Sequence, residues 1–118
     1  MSWFGFKYRL RNPWLFKRDI EHFWQRRIRG WDNSETYSLD SSLGKHILPR
    51  LKKFKELTIA FPGGDITEEE WDLILDKMIT AFELVNNDDK WHDLTKEELE
   101  MFNDGIQLFA KHYRHLWW

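Results

Sequence analysis

Apolar and polar residues alternate at the start of the chain, where Phe4, Phe6, Tyr8 and Leu10 are separated by Gly5, Lys7 and Arg9. A repeat of two belongs to a strand, whose successive side chains point to opposite faces. No other segment has that repeat, so this strand lacks an evident partner in its own chain. Unpaired backbone groups are costly when buried. An extended, strand-like N-terminal arm is therefore expected, either packed on another subunit or laid along the helices.

From Asn12 the period becomes helical. Asn12-Pro13 offers an N-cap residue followed by proline at the first helical position. Phe16, Ile20, Phe23, Trp24 and Ile28 then share one face, and Gly30 is the natural stop. A second helix is predicted from about Asp32–Ser34 to about Leu57, with Leu39, Leu43, Ile47, Leu51 and Phe54 as its stripe. Pro49 interrupts that helix, removing the hydrogen bond to the Lys45 carbonyl and bending the axis, which can shape a pocket.

Phe61-Pro62-Gly63-Gly64-Asp65 reads as a loop. Thr67-Glu68-Glu69-Glu70 is a capping box, with Ile66 and Trp71 as its hydrophobic staple. Trp71, Ile74, Leu75, Met78, Phe82 and Val85 trace the face of a third helix, ended by the polar stretch Asn86-Asn87-Asp88-Asp89-Lys90. The same start signal recurs at Thr95-Lys96-Glu97-Glu98, stapled by Leu94 and Leu99. Leu99, Phe102, Ile106, Phe109, Tyr113 and Leu116 form the last stripe. The expected fold is all-α: one domain, a compact bundle of about four helices over residues 12–118, with residues 1–11 as the arm.

Composition narrows the class. A chain of 118 residues has room for one hydrophobic core. With 42% apolar and 32% charged residues it is too apolar for a disordered chain. No apolar run approaches the roughly 20 residues of a membrane span. The first residues lack the charged-then-apolar order of a signal peptide, and absence of cysteine excludes disulfides and thiolate chemistry. The default location is the cytoplasm, that of the host cell for a viral protein. The 8 Trp exceed what packing alone demands, so about half are expected in the core and the rest on stacking or oligomer surfaces.

The formal net charge of −2 hides an asymmetry. Residues 1–30 hold eight Lys/Arg against Asp19 and Glu21, a balance of +6, which leaves −8 on the remainder. An anionic ligand at the basic segment, or a basic part of one subunit docked on an acidic part of another, would answer that separation.

Catalysis finds little support. There is no Gly-rich phosphate loop, and Asp72 and Asp76 lie outside the apolar stripe, as on a solvated face. His112 and His115 are three apart, but no second helix supplies the other half of a metal site, so no metal or cofactor is expected. His22, His46 and His92 carry no specific signal.

Anion binding fares better. Phosphates favour the bidentate guanidinium fork, and bases favour flat aromatic or Arg planes. Arg26-Arg27-Ile28-Arg29-Gly30-Trp31-Asp32, followed by Tyr37, offers both. The arginines of the last turn also answer the negative end of the helix dipole, which is their structural reading. A nucleic-acid polymer would need a longer basic track than one end of an otherwise acidic chain provides.

Several motifs carry a family resemblance. Arg29-Gly30-Trp31-Asp32, Tyr37-Ser38-Leu39-Asp40, Leu48-Pro49-Arg50-Leu51-Lys52 and Thr67-Glu68-Glu69-Glu70-Trp71-Asp72 resemble segments of a widespread family of small tailed-phage proteins. So do Ile74-Leu75-Asp76-Lys77-Met78-Ile79, Ala81-Phe82-Glu83 and Tyr113-Arg114-His115-Leu116-Trp117, the match covering roughly residues 23–117. This family is identified with the phage nucleotide sponges that inhibit CBASS, the bacterial defence that signals with cyclic oligonucleotides. The resemblance implies a non-enzymatic immune-evasion protein, a homotetramer that sequesters a cyclic dinucleotide such as 3′3′-cyclic GMP–AMP without cleaving it.

Ligand contacts follow from side-chain chemistry, not from the family. Arg26, Arg29 and Arg50 are expected to neutralise phosphates, Trp31 and Tyr37 to stack on or wall the bases, and Lys45 to assist beside the Pro49 bend. The rival expectations are a protein-interaction module that inhibits a host protein through exposed aromatics, and a structural role in the phage particle.

Overall fold

A computed structural model of the chain describes residues 11–117. The expected arm, residues 1–11, lies outside the described residues except for Arg11, as do Trp3 and Trp118. The described residues are all-α, as expected, with no strand among them. The chain divides into two units, Met1–Leu39 and Asp40–Trp118.

In the first unit, helix α1 spans Pro13–Arg29. Proline occupies its first turn, while the Asn12 side chain makes no capping bond to it. Gly30 closes the helix as expected: its φ of 85° is the left-handed conformation, and its N–H donates to the Arg26 carbonyl at 2.9 Å. The expected continuous second helix does not begin at Asp32. A 3-10 turn over Asn33–Thr36 intervenes, because Asp32 caps it through the Ser34 amide and Glu35 returns a bond to the Asp32 N–H.

Helix α2 spans Leu39–Leu57 and runs through Pro49. Helix α3 spans Glu68–Asn86, where Thr67 accepts from the Glu70 amide without the reciprocal Glu70 bond that the sequence predicts. Asn87 ends α3 and also caps a single turn, α4, over Asp88–Trp91, so the polar stretch is a corner and not merely a stop. Helix α5 spans Lys96–Lys111 and starts with the complete Thr95–Glu98 capping box. It ends earlier than its apolar stripe suggests, at His112, and a 3-10 turn over Tyr113–His115 follows.

The core of the second unit is built on α3. Trp71, Leu75, Met78, Phe82 and Val85 are buried with Leu51 of α2, and Ile47, Phe54, Phe102, Ile106 and Phe109 pack around them. Each such side chain contributes about 1.5–3 kcal/mol of transfer free energy.

Two glycines let the helices approach. A Cβ on Gly44 would meet the Val85 and Asn86 side chains at 2.7 Å, and one on Gly105 would meet the Lys77 carbonyl and the Ala81 Cβ. Asn86 Nδ2 fastens the first of these crossings by donating to the Gly44 carbonyl at 3.2 Å. Pairing across α2 and α3 continues outside the core, with Lys55 on Asp76 at 2.5 Å and Lys52 on Glu83 at 3.4 Å.

Tryptophan enters the core less than composition suggests. Of the described Trp, Trp71 is buried and Trp91 half-buried, while Trp14, Trp24, Trp31 and Trp117 are exposed.

Candidate anion and base-stacking site

The expected site residues of the first unit surround the turn that follows α1. Gly30 reverses the chain, and Asp32, only 3% exposed, becomes the hub of the turn. Its carboxylate accepts from the Ser34 amide at 2.8 Å and from the Ser34 hydroxyl, and it pairs with Arg26. The Ser34 hydroxyl, opposed by desolvation and joined by Arg26 and the Ser34 amide, holds the Asp32 carboxyl at about 2, below its ordinary 3.8. Arg26 thus anchors the loop as well as supplying charge.

Arg29 lies over the Trp31 ring. Its guanidinium carbon sits 3.7 Å from the centre of the indole ring. Nε donates to the Trp31 carbonyl at 3.0 Å and Nη2 to the Asn33 side chain at 2.6 Å, so the plane is fixed from both edges. Gln25 braces the same loop by accepting from the Asn33 amide at 2.8 Å. Trp31 nevertheless keeps 44% of its surface open.

Tyr37, also exposed, stands beside His22, with its hydroxyl 3.5 Å from His22 Nε2 and the rings 6.2 Å apart. His22, which lacks a motif in the sequence, joins this neighbourhood only through the fold. So do Gln25 and Asn33, whose separation of eight residues fits no local sequence pattern.

The remaining expected residues belong to the second unit. Lys45 is exposed on α2. Arg50 folds back to donate to the His46 carbonyl at 2.7 Å. It borders an open apolar groove of about 200 Å³ lined by Ile47, Leu51, Phe54, Phe109, Tyr113 and Leu116. The structure therefore gathers Arg26, Arg29, Trp31 and Tyr37 in one unit and sets Lys45 and Arg50 in the other.

His112 and His115 meet each other, Nδ1 to Nδ1 at 3.2 Å, with the Trp71 ring edge-on to both. No group of three or more potential metal ligands occurs among the described residues. No helix among them is long and apolar enough to cross a membrane.

No protein-family model, curated protein or solved structure matches the chain. What the turn can do chemically rests on its own geometry. It presents a fixed cation over an indole that stays partly open, a pairing suited to a phosphate joined to a planar base.

Proposed function

We propose that this chain is a phage immune-evasion protein. It captures a cyclic dinucleotide defence signal, such as 3′3′-cyclic GMP–AMP, in the cytoplasm of the infected host cell. It holds the nucleotide without cleaving it, as a homo-oligomer that the phage-family resemblance makes a tetramer. The observation that carries the reading is the Arg29–Trp31 stack, locked by hydrogen bonds at 3.0 and 2.6 Å. A cation and a ring already held in place lose little freedom when a ligand arrives. In this reading Arg29 contacts a phosphate, Trp31 and Tyr37 flank a base, and Arg26 adds positive charge.

Titration calorimetry with a panel of cyclic di- and trinucleotides tests it. Binding of one of them is expected, with intact nucleotide recovered after the protein is denatured. Arg29→Ala and Trp31→Ala each remove binding while the oligomer persists. Unchanged affinity in both variants rejects this site, and cleaved nucleotide rejects sequestration.

A second reading is favoured by the open aromatics of α1, Trp14, Phe23 and Trp24, each at least half exposed. In that reading the chain inhibits a host protein by covering it. A flat nucleotide panel together with a stoichiometric complex with one identified host protein would select it.

A further inference from the structure

The two histidines at the end of α5 are joined to each other within the second unit. His112 ends the helix, buried against Trp71, and its backbone N–H donates to the Leu108 carbonyl at 2.9 Å. His115 stands in the 3-10 turn that follows, and the two Nδ1 atoms meet at 3.2 Å. Just beyond, Leu116 packs against the buried cluster. His115 and Trp117 line a small cavity of about 130 Å³ with Ala60, Phe61 and Pro62. The ring contact therefore ties a short C-terminal segment to the body of the unit.

That contact tolerates one charged ring and not two. One Nδ1 donates and the other accepts, and the donating ring can charge without losing the bond. Once the accepting ring is protonated as well, two donors and two positive charges face each other. His112 is the acceptor, because burial and the charges of His115 and Lys111 hold its pKa below the ordinary 6.5.

The surrounding elements supply nothing to neutralise a second charge. Lys111 precedes His112, and Arg114 stands inside the turn. The stretch 58–62, which reaches His115, has no titratable side chain. α2 brings Arg50 to the groove beside Tyr113 and Leu116. On α3, Glu68 and Asp72 lie to either side of Trp71, and among the described residues neither pairs with a histidine. The Trp71 indole N–H is itself a buried donor without an acceptor.

We propose that residues 112–117 form an acid-released flap, in which protonation of both rings of the His112–His115 pair detaches the turn and lifts Leu116 off the core. The native value of His112 is depressed, so the closed flap is fully favoured above pH 6.5 and loses that advantage as pH falls below it. The device lies in the second unit alone and is independent of the nucleotide reading.

Nuclear magnetic resonance of the full chain tests it. Two-bond spectra of the histidine rings at pH 7.5 should show hydrogen on Nδ1 of His115 and none on Nδ1 of His112. Amide exchange then reads the flap at His115 and Leu116, whose N–H groups donate to the His112 and Tyr113 carbonyls at 2.9 and 3.3 Å. Corrected for intrinsic exchange, their protection should fall about threefold or more relative to Leu75 and Met78 between pH 7.5 and 5.5. His115→Asn puts a side-chain amide that does not titrate near the place of Nδ1, and should hold the protection constant. If that variant does not fold by circular dichroism, His112→Gln serves in its place.

Nδ1 bare on both rings overturns the flap, and so does protection that is the same at both pH values. A loss that persists in the folded variant assigns the response to another group. An equal loss at Leu75 and Met78 makes the response global, and either result rejects the device.

Discussion

The two units of the chain are held in order by different means. The second has an apolar centre, in which Leu75 and Met78 are completely buried and Trp71 is 2% exposed. In the first, Leu15 is the buried apolar residue among those described, and the turn after α1 is organised by the Asp32 carboxylate and its donors. The contrast teaches where each unit's specificity lies. Apolar burial is strong and non-directional, so the second unit tolerates a changed surface but not a changed volume. A hydrogen-bonded turn is weaker but fixes angles, which is what presenting Arg29 and Trp31 to a ligand demands.

The sharpest way to break the contrast is to cut the same residue type in both units. Trp71→Ala is expected to cost about 3–5 kcal/mol in urea unfolding, enough to threaten a small domain. Trp24→Ala, at a position 54% exposed, should change the stability of the monomer by less than about 0.5 kcal/mol. Equal losses would mean that α1 is already covered in the isolated protein. Next in size is Gly105→Ala. Its Cβ meets the backbone of Lys77 and the Ala81 methyl, neither of which can swing aside, so a loss of about 1–3 kcal/mol is expected. Gly44→Ala meets the Asn86 amide oxygen and the stiff, buried Val85 side chain rather than backbone, and should cost somewhat less by the same measurement.

Much of the helical pattern was legible in the sequence, and the remainder has physical reasons. The α3 stripe from Trp71 to Val85 and both threonine caps follow from spacing alone, since periodicity and capping are local. The fate of the α1 stripe was not legible. Phe23 and Ile28 have the pattern of a buried face, and nothing in a single chain's sequence says whether the covering surface is its own. Gly44 and Gly105 carry no local signal, because what they accommodate lies on another helix. Around the candidate site, Arg29-Gly30-Trp31 is a recognisable pairing of charge and ring, but the role of Asp32 as hub depends on the 3-10 turn. Exposed Leu39 and Leu43 show the same lesson within α2, whose stripe is covered only in its C-terminal half.

The turn itself is tested by acid. Asp32 has a folded value of about 2 against an ordinary 3.8, so it favours the folded turn above about pH 4 and progressively loses that effect as pH falls toward 2. Hydrogen exchange of the Ser34 amide should therefore quicken relative to the α3 amides in acid. In Asp32→Ala it should be fast even at neutral pH. The same variant is expected to weaken nucleotide binding without lowering the urea midpoint of the second unit. An unchanged Ser34 amide would show that Asp32 is not the hub.

The smallest effect belongs to the second unit and has its own pH range. His112 is 3% exposed, and its pKa lies below the ordinary 6.5 because burial disfavours the charged ring, with His115 and Lys111 adding repulsion. The Nδ1–Nδ1 contact at 3.2 Å needs one ring to donate and the other to accept, so full protonation of the pair would set two donors face to face. A depressed folded value means that the native state binds the proton less readily than the unfolded chain does. Stability is therefore greatest above pH 6.5 and declines as pH falls through that value toward the folded one. Melting temperature should drop by roughly a few degrees between pH 7.5 and 5.5. In His112→Gln that drop should largely vanish, because glutamine neither titrates nor repels His115. Asp32 stays ionised across this range, so the Ser34 amide should not register the change. A pH response that appears in both units at once would mean that their order is shared, and the contrast between them would fall.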